Sequence, residues 1–169
     1  MSRICQKISR RNVDVSGAGL CAAFNLRRTS RAVTALYDSA LMTSRLSSAQ
    51  VTILIAVAKS EPVPVGGLAK IILADHSTLT RNLALLSKKG LVSISPRTAM
   101  RRRLVSLTAK GISALARSVR QWRRIQARFV GSFGVRRWKE TQKVLEELAA
   151  IAVRLRRIYL FALLPFLRP

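Results

Sequence analysis

The stretch DHSTLTRNLALLSKKG, residues 75–90, carries the signals of a complete helix with one apolar and one polar side. Leu79, Leu83 and Leu86 are spaced four and three residues apart, so they fall on one face of a helix. The first residue, an aspartate, is a typical N-cap, and the final glycine after two lysines is a typical C-terminal stop. The pattern predicts a helix that buries leucine and exposes polar and basic side chains.

The charge of the chain indicates a polyanionic partner. Lys and Arg number 31 against 7 Asp and Glu among 169 residues, a formal net charge of +24. Between Asp75 and Glu140 there are sixteen basic residues and no acidic one, so one continuous segment carries the positive field. Nucleic acid, an acidic membrane surface and an acidic protein are the candidates. With 49% hydrophobic residues, the chain also has enough apolar side chains to bury a core.

A first long helix is predicted from Leu20 to about Met42. Its apolar residues fall mostly on one helical stripe, formed by Leu20, Phe24, Val33, Leu36, Tyr37 and Ala40. A second, strongly apolar helix follows a serine cap at Ser47 or Ser48 and runs to about Ser60.

The segments on either side of the opening stretch are shorter. VGGLAKIILA, residues 65–74, can make only two or three helical turns. We interpret Gly66 and Gly67 as loop residues at its start, because the GK[ST] sequence of a phosphate-binding loop does not follow them. LVSIS (91–95) and RLVSL (103–107) alternate apolar and polar residues and predict two paired strands. The intervening PRTAMRR predicts a basic loop.

Two helices are predicted in the C-terminal third, separated by the loop VGSFG, residues 130–134. Thr108 caps the first, whose apolar residues are Ile112, Leu115, Val119, Trp122 and Phe129 and whose arginines on a different, solvated face are Arg117, Arg120, Arg124 and Arg128. The last helix carries a near-heptad apolar stripe, a spacing that usually meets another helix, formed by Trp138, Leu145, Leu148, Ile151, Leu155 and Ile158. The tail IYLFALLPFL, residues 158–167, is about half as long as a membrane span, and we interpret it as a helix end buried against a partner.

This order of elements predicts one compact, mainly α domain with a small β-hairpin. A short helix, a turn, a second helix and a hairpin with a basic loop form a winged helix-turn-helix, in which the second helix enters the DNA major groove. With long helices before and after it, the arrangement resembles the MarR family of bacterial transcription regulators, which are usually dimeric. The resemblance covers about residues 21–155, and it is most specific in FNLRRTSRAVTALYD (24–38), DHSTLTRNLALLSKKGLV (75–92) and RRRLVSLTAKG (101–111).

The resemblance implies a single winged-helix domain over residues 20–169, after a basic N-terminal arm of residues 1–19. Within this domain the DNA-binding core spans about 47–111, and the long N- and C-terminal dimerisation helices occupy 20–46 and 112–169. The arm lacks the apolar run of a secretory signal, so we interpret it as flexible.

The resemblance also places the DNA contacts. Ser77, Thr78, Thr80 and Arg81 fall at the DNA-facing start of the recognition helix, and Arg101 falls where a wing arginine reaches into the minor groove. The further candidates for DNA contact are His76, Lys88, Arg97, Arg102 and Arg103. Two positions depart from the family's pattern: Ala99 replaces an aspartate that usually precedes the wing arginine, and Leu73 stands where the turn often carries glycine.

The two cysteines are too few and too near the N-terminus to form a disulfide framework, which favours a reducing cytoplasm. Cys21 lies near the start of the first helix, where a thiol can be activated for redox sensing. We favour a buried, inert thiol over such a sensor. Cys5, on the arm, is interpreted as incidental.

Metal binding and catalysis have little support in the sequence. His76 is the only histidine, so a histidine-cluster metal site cannot form within one chain, and no acid–base pair is evident. We interpret the chain as a cytoplasmic, homodimeric repressor that binds a pseudo-palindromic operator in double-stranded DNA without a cofactor. Oxidation or a small apolar or aromatic effector would release it. The alternatives are a nonspecific, chromatin-like nucleic-acid-binding protein and, less favoured, a basic protein at an acidic membrane surface.

Overall fold

The structure, a computed structural model, describes residues 16–96 and 102–163. The segments outside this description are residues 1–15 of the predicted arm with Cys5, residues 97–101 of the predicted wing loop, and residues 164–169 of the apolar tail. Contacts between residues divide the chain into two compact units, Met1–Trp122 and Arg123–Pro169. Each unit is described by itself.

The described residues are mostly helical, and their order confirms the predicted winged helix-turn-helix. The helices are α1 Ala22–Leu41, α2 Ser48–Ser60, α3 Val65–Ile71, α4 His76–Lys88, α5 Ala109–Phe133 and α6 Val135–Leu163. The strands are β1 Val63–Pro64, β2 Val92–Ile94 and β3 Leu104–Leu107. Short 3₁₀ helices, Ser16–Leu20 and Met42–Ser44, flank α1.

The wing is a three-stranded antiparallel sheet in the order β1-β3-β2, one strand more than the predicted hairpin. Val92 pairs with Leu107 in the hairpin, and Val63 pairs with Val105 on the other side of β3. The extra strand escaped prediction because two residues ending in a proline show no alternation; an edge strand tolerates such a proline. The Glu61 carboxylate accepts the Leu107 N–H at 2.6 Å and so holds the end of β3.

The core of the first unit lies between α2, α4 and the sheet. Ser47 caps α2 as predicted, because its hydroxyl accepts the Gln50 N–H at 3.2 Å and the Gln50 side chain returns to the Ser47 N–H. The three leucines of α4 are buried, as their spacing predicted. The core residues that pack with them include Leu41, Leu46, Val51, Leu54, Val57, Val63, Leu68, Leu91, Val92 and Val105.

The apolar stripe predicted for the first helix is only partly covered: Val33, Tyr37 and Ala40 are half-buried, whereas the residues at its N-terminal end are exposed. Of the α1 residues only Leu41 is buried, whereas the exposed fraction is 90% for Leu20 and 58% for Phe24. Apolar periodicity identifies a face that favours burial, but it does not identify what covers that face. The N-terminal part of this stripe, around Phe24, is therefore a surface of the described chain.

Helix α5 packs against the core through small residues and through Leu115 of the predicted stripe, which is partly buried. Its buried residues are Gly111, Ala114 and Ser118, while Ile112 is exposed. Thr108 caps the helix as predicted, accepting the Gly111 N–H at 2.9 Å. A Cβ on Gly111 would stand 1.9 Å from the Leu91 carbonyl oxygen, so the helix approaches the start of β2 more closely than any larger residue allows.

The prediction of a loop at VGSFG is wrong, because α5 continues through Phe133. The helix is interrupted only at Gly134, whose φ is 98°. Phe129 and Phe133 meet Trp138 edge to face, with ring centroids 5.7 and 6.3 Å apart. Helix α6 starts at Val135, directly after Gly134. Glycine is tolerated inside a helix at a modest cost, and Gly66 and Gly67 likewise lie within α3 and not in a loop.

In the described part of the chain, no single helix has the length and apolar content to cross a membrane; together the segments Ala22–Ser44 and Ser48–Ser60, bent by 77°, meet that test of length and composition.

The turn between α3 and α4 is strained at Leu73, where the family pattern often has glycine. Leu73 has a φ of 51°, a left-handed conformation that costs a residue with a Cβ about 1–2 kcal/mol. Leu73→Gly should therefore stabilise the protein by up to about 1 kcal/mol, after allowing for the extra freedom of glycine in the unfolded chain. Urea unfolding measures the difference. Leu73→Ala is the control: it keeps the Cβ, so an equal gain would mean that the benefit comes from removing an exposed leucine side chain.

Candidate nucleic-acid interface

The start of α4 is fixed by Asp75, the predicted N-cap. Its carboxylate accepts the Ser77 hydroxyl at 2.6 Å and the Thr78 N–H at 2.7 Å. These hydrogen bonds, first from Ser77 and then from Thr78, hold the pKa of the Asp75 carboxyl well below its ordinary value. The carboxylate is thus ionised at any physiological pH, and it is occupied by its own helix.

The polar residues that the sequence assigned to this helix are all exposed; they are His76, Ser77, Thr78, Thr80, Arg81 and Lys88. Within the helix the Asn82 side chain donates to the Thr78 carbonyl at 3.0 Å, and the Thr80 hydroxyl lies 3.4 Å from His76 Nδ1. The leucines on the opposite side hold the helix against the core, so this face is directed outward.

A groove of about 950 Å³ runs beside α4 in the first unit. Four of the predicted site residues line it: His76 and Thr80 from α4, and Arg102 and Arg103 from the segment before β3. The other exposed candidates on α4, Ser77, Thr78, Arg81 and Lys88, do not line it. Arg97 and Arg101 lie outside the described residues.

Two further lining residues, Lys70 and Ser87, were missed by sequence reasoning. Lys70 is the one cation of α3, and it was overlooked because its segment was treated only as a connector. A lysine in the last turn of the first motif helix is a usable signal, because the turn that follows places this helix next to α4. The structure thus brings Lys70, Arg102 and Arg103 to one groove.

The C-terminal end of α4 is also held by side-chain hydrogen bonds. The Lys89 ammonium donates to the Arg45 carbonyl at 2.9 Å and to Gln50 Oε1 at 3.4 Å. Gln50 belongs to the capping box of α2, so the two helices are connected through side chains at this end. Lys89 was not among the predicted site residues, and its ammonium is engaged here within the protein.

Carboxylates in the described part of the first unit are all occupied by backbone. Asp38 accepts the Ser48 N–H at 2.6 Å, while Glu61 and Asp75 accept the N–H groups of Leu107 and Thr78. Each carboxylate therefore fixes one end of a helix or a strand. The positive field of the exposed lysines and arginines suits an external polyanion.

A second, smaller cavity of about 240 Å³ lies between α1, α2 and Trp122. Apolar side chains and hydroxyl groups both line it, and the lining includes Val33, Tyr37, Leu41, Val51, Thr52 and Ile55. Burial raises the pKa of the Tyr37 phenol, so the ring is neutral at physiological pH.

Cys21 directly precedes α1 and is exposed, so the interpretation of a buried thiol is wrong. Redox sensing at Cys21 stays a prediction. Among the described residues, no group of three or more His, Cys, Asp or Glu is placed to hold a metal ion.

No family model matches the sequence, and a search of the curated proteins finds no match. Solved structures do match. The M. tuberculosis transcriptional regulator MosR in complex with DNA is 33% identical with a TM-score of 0.74; the match covers 80% of this chain and 98% of MosR. A second MosR structure is 32% identical with a TM-score of 0.71, covering 79% and 96%.

A MarR-family transcriptional regulator from Rhodococcus sp. RHA1 shares the fold, with a TM-score of 0.68 at 19% identity, covering 80% of this chain and 95% of that one. These similar proteins are regulators of transcription and not enzymes. The identity to MosR over nearly its whole length, together with the shared winged-helix architecture, shows that this chain belongs to the MarR family of transcriptional regulators.

Proposed function

We propose that the protein is a cytoplasmic, homodimeric repressor that binds a pseudo-palindromic operator in double-stranded DNA. One observation carries the proposal: the exposed polar start of α4 stands beside a groove lined by three cations, in a chain 33% identical to a regulator whose structure contains DNA. Helix α4 is the recognition helix of this proposal. Its first two turns enter the major groove, where Thr80 and Arg81 meet base edges.

The remaining contacts position the protein on the duplex. Lys70, Arg102 and Arg103 are suited to phosphates, which bind cations without regard to sequence. Arg101, outside the described residues, is the proposed contact to the minor groove. Because the Leu79 side of α4 is buried and Lys89 holds its end, the helix would meet DNA as a fixed element.

Selection of bound sites from a random DNA pool tests this proposal. Recovery of one inverted repeat is the expected result, since two recognition helices related by two-fold symmetry read two half-sites. The rival is a nonspecific nucleic-acid-binding protein, which the net charge of +24 favours. For that rival, nonspecific duplex competes as well as any recovered sequence, and no repeat is enriched.

We predict a homodimer in solution. Helix α6 exposes apolar side chains at near-heptad spacing, and a second copy would cover them; they are Leu145, Leu148, Ile151, Leu155 and Ile158. Light scattering at micromolar concentration should give about twice the chain mass of 18.7 kDa. Leu148→Asp should reduce that mass, whereas Lys143→Asp, a change on the same helix at an exposed cation, should not. A monomer mass for the wild type would reject the dimer.

The small cavity between α1 and α2 is the proposed effector site. Asp38 on α1 holds the first N–H of α2, so a ligand that separates these two helices would move the element on which α4 rests. A small apolar or aromatic effector would act by changing the spacing of the two recognition helices in the dimer, because a duplex accepts only one spacing.

A further inference from the structure

His76 is the one histidine of the chain, and it stands at the first position of the proposed recognition helix. Its side chain is exposed and lines the groove beside that helix. Imidazole is the side chain whose unperturbed charge changes between about pH 5 and 8. A change of charge at this position would alter the surface that faces DNA.

The charged side chains that line the groove with His76 are all cationic. Helix α3 contributes Lys70 to the groove, and the segment before β3 contributes Arg102 and Arg103. No carboxylate is among the described residues that line the groove. The described lining of the groove therefore presents a positive surface that attracts an anion.

The groups of the helix itself permit both charge states of the imidazole. The neighbouring Asp75 carboxylate is committed to Ser77 and Thr78, and it stays ionised throughout this pH range. The Thr80 hydroxyl, 3.4 Å from His76 Nδ1, can donate to a neutral ring or accept from a charged one by rotating its hydrogen. The N-cap of α4 is thus unaffected when His76 gains a proton.

We propose that His76 couples DNA binding to proton uptake: the imidazole becomes charged as a DNA phosphate enters the groove, so affinity for DNA rises as the pH falls from about 8 to about 5.5. The sign follows from the charges. DNA favours the protonated ring, and lowering the pH supplies that form. This inference rests on the proposed DNA-binding function, but not on any particular operator, because a phosphate contact is independent of sequence.

Fluorescence anisotropy with a labelled duplex of mixed sequence tests the coupling, at about pH 5.5 and about pH 8 and over a series of salt concentrations. The wild type should bind about tenfold more tightly per protomer at the lower pH, as one added hydrogen bond to a charged group implies. Its plot of log affinity against log salt should also steepen by about 0.9 per protomer, because one more phosphate is neutralised.

Two variants complete the experiment. His76→Gln cannot be charged, so its affinity and its salt slope should show no such change with pH. His76→Arg is always charged, so it should bind tightly at both pH values with the steeper slope. Thermal unfolding of the variants at both pH values separates a change in the interface from a change in stability.

The wild type could bind the duplex yet show the same dependence of affinity on pH as His76→Gln. That result would overturn the coupling and leave the proposed DNA-binding function intact. Failure of the wild type to bind any duplex at either pH would instead overturn the proposed function, and the coupling with it.

Discussion

Gly111→Ala is expected to destabilise the protein by about 3 kcal/mol or more, the upper range for forcing an extra group into a packed site. The added Cβ would lie 1.9 Å from the Leu91 carbonyl oxygen and 2.9 Å from its carbon, both of which are backbone atoms. No side chain can rotate away to relieve the overlap. The start of α5 would have to move away from β2, which would also weaken the Thr108 cap and its bond to the Gly90 carbonyl at 2.7 Å.

Urea or thermal unfolding measures this loss, and the same helix offers a matched control. Apart from its chain neighbours and the backbone of its own helix, Gly131 has no atom within 4 Å of its ideal Cβ position, so Gly131→Ala should be neutral or stabilising by about 0.5–1 kcal/mol. If the two alanine variants unfolded alike, the close approach at Gly111 would not be a constraint of the folded protein.

Arg81→Ala is expected to weaken binding to the selected operator by about 1–3 kcal/mol, roughly fivefold to 150-fold, and to weaken binding to random duplex less. Arg81 is exposed in the second turn of α4, and a side chain at that position reaches base edges when the helix lies in the major groove. Affinities for the operator and for random duplex, measured at the same salt concentration, give the specificity ratio. This ratio should be smaller for Arg81→Ala than for the wild type.

Arg101→Ala is the comparison for this prediction. A wing arginine in the minor groove responds to groove width and negative potential more than to base identity. This variant should therefore weaken both DNAs more evenly and make the salt dependence shallower. If both variants lower the affinity for the operator and for random duplex by the same factors, then α4 is only a charged face and the recognition-helix proposal is wrong.

The parts of the fold that depend on local signals could be predicted from the sequence. Asp75, Ser47 and Thr108 each cap the helix that their position predicted, because a cap requires only a side-chain oxygen and the next three residues. The strands at Val92 and Leu104 followed from alternation in the same way. Exposure of the polar face of α4 also followed from the spacing of its leucines.

The parts that depend on distant contacts could not be predicted. The burial of Gly111 against Leu91 depends on a neighbour 20 positions away, and no periodicity marks a missing Cβ. Lys70 enters the groove only because the turn at Leu73 brings α3 beside α4. The apolar stripe around Phe24 had the right period, but its burial depends on a surface that the sequence of one chain does not specify.

Strand β1 ends at Pro64, which pairs with Leu104 at the outer side of the sheet. Proline has no N–H to offer, and at the opposite edge β2 is only three residues long. Neither edge is a good template for adding a strand from another molecule. Exposed sheet edges promote aggregation through strand pairing, during folding or at high concentration, and the two short edges of this sheet oppose it. Copies of the chain are therefore left to recognise one another through the exposed apolar residues of their helices.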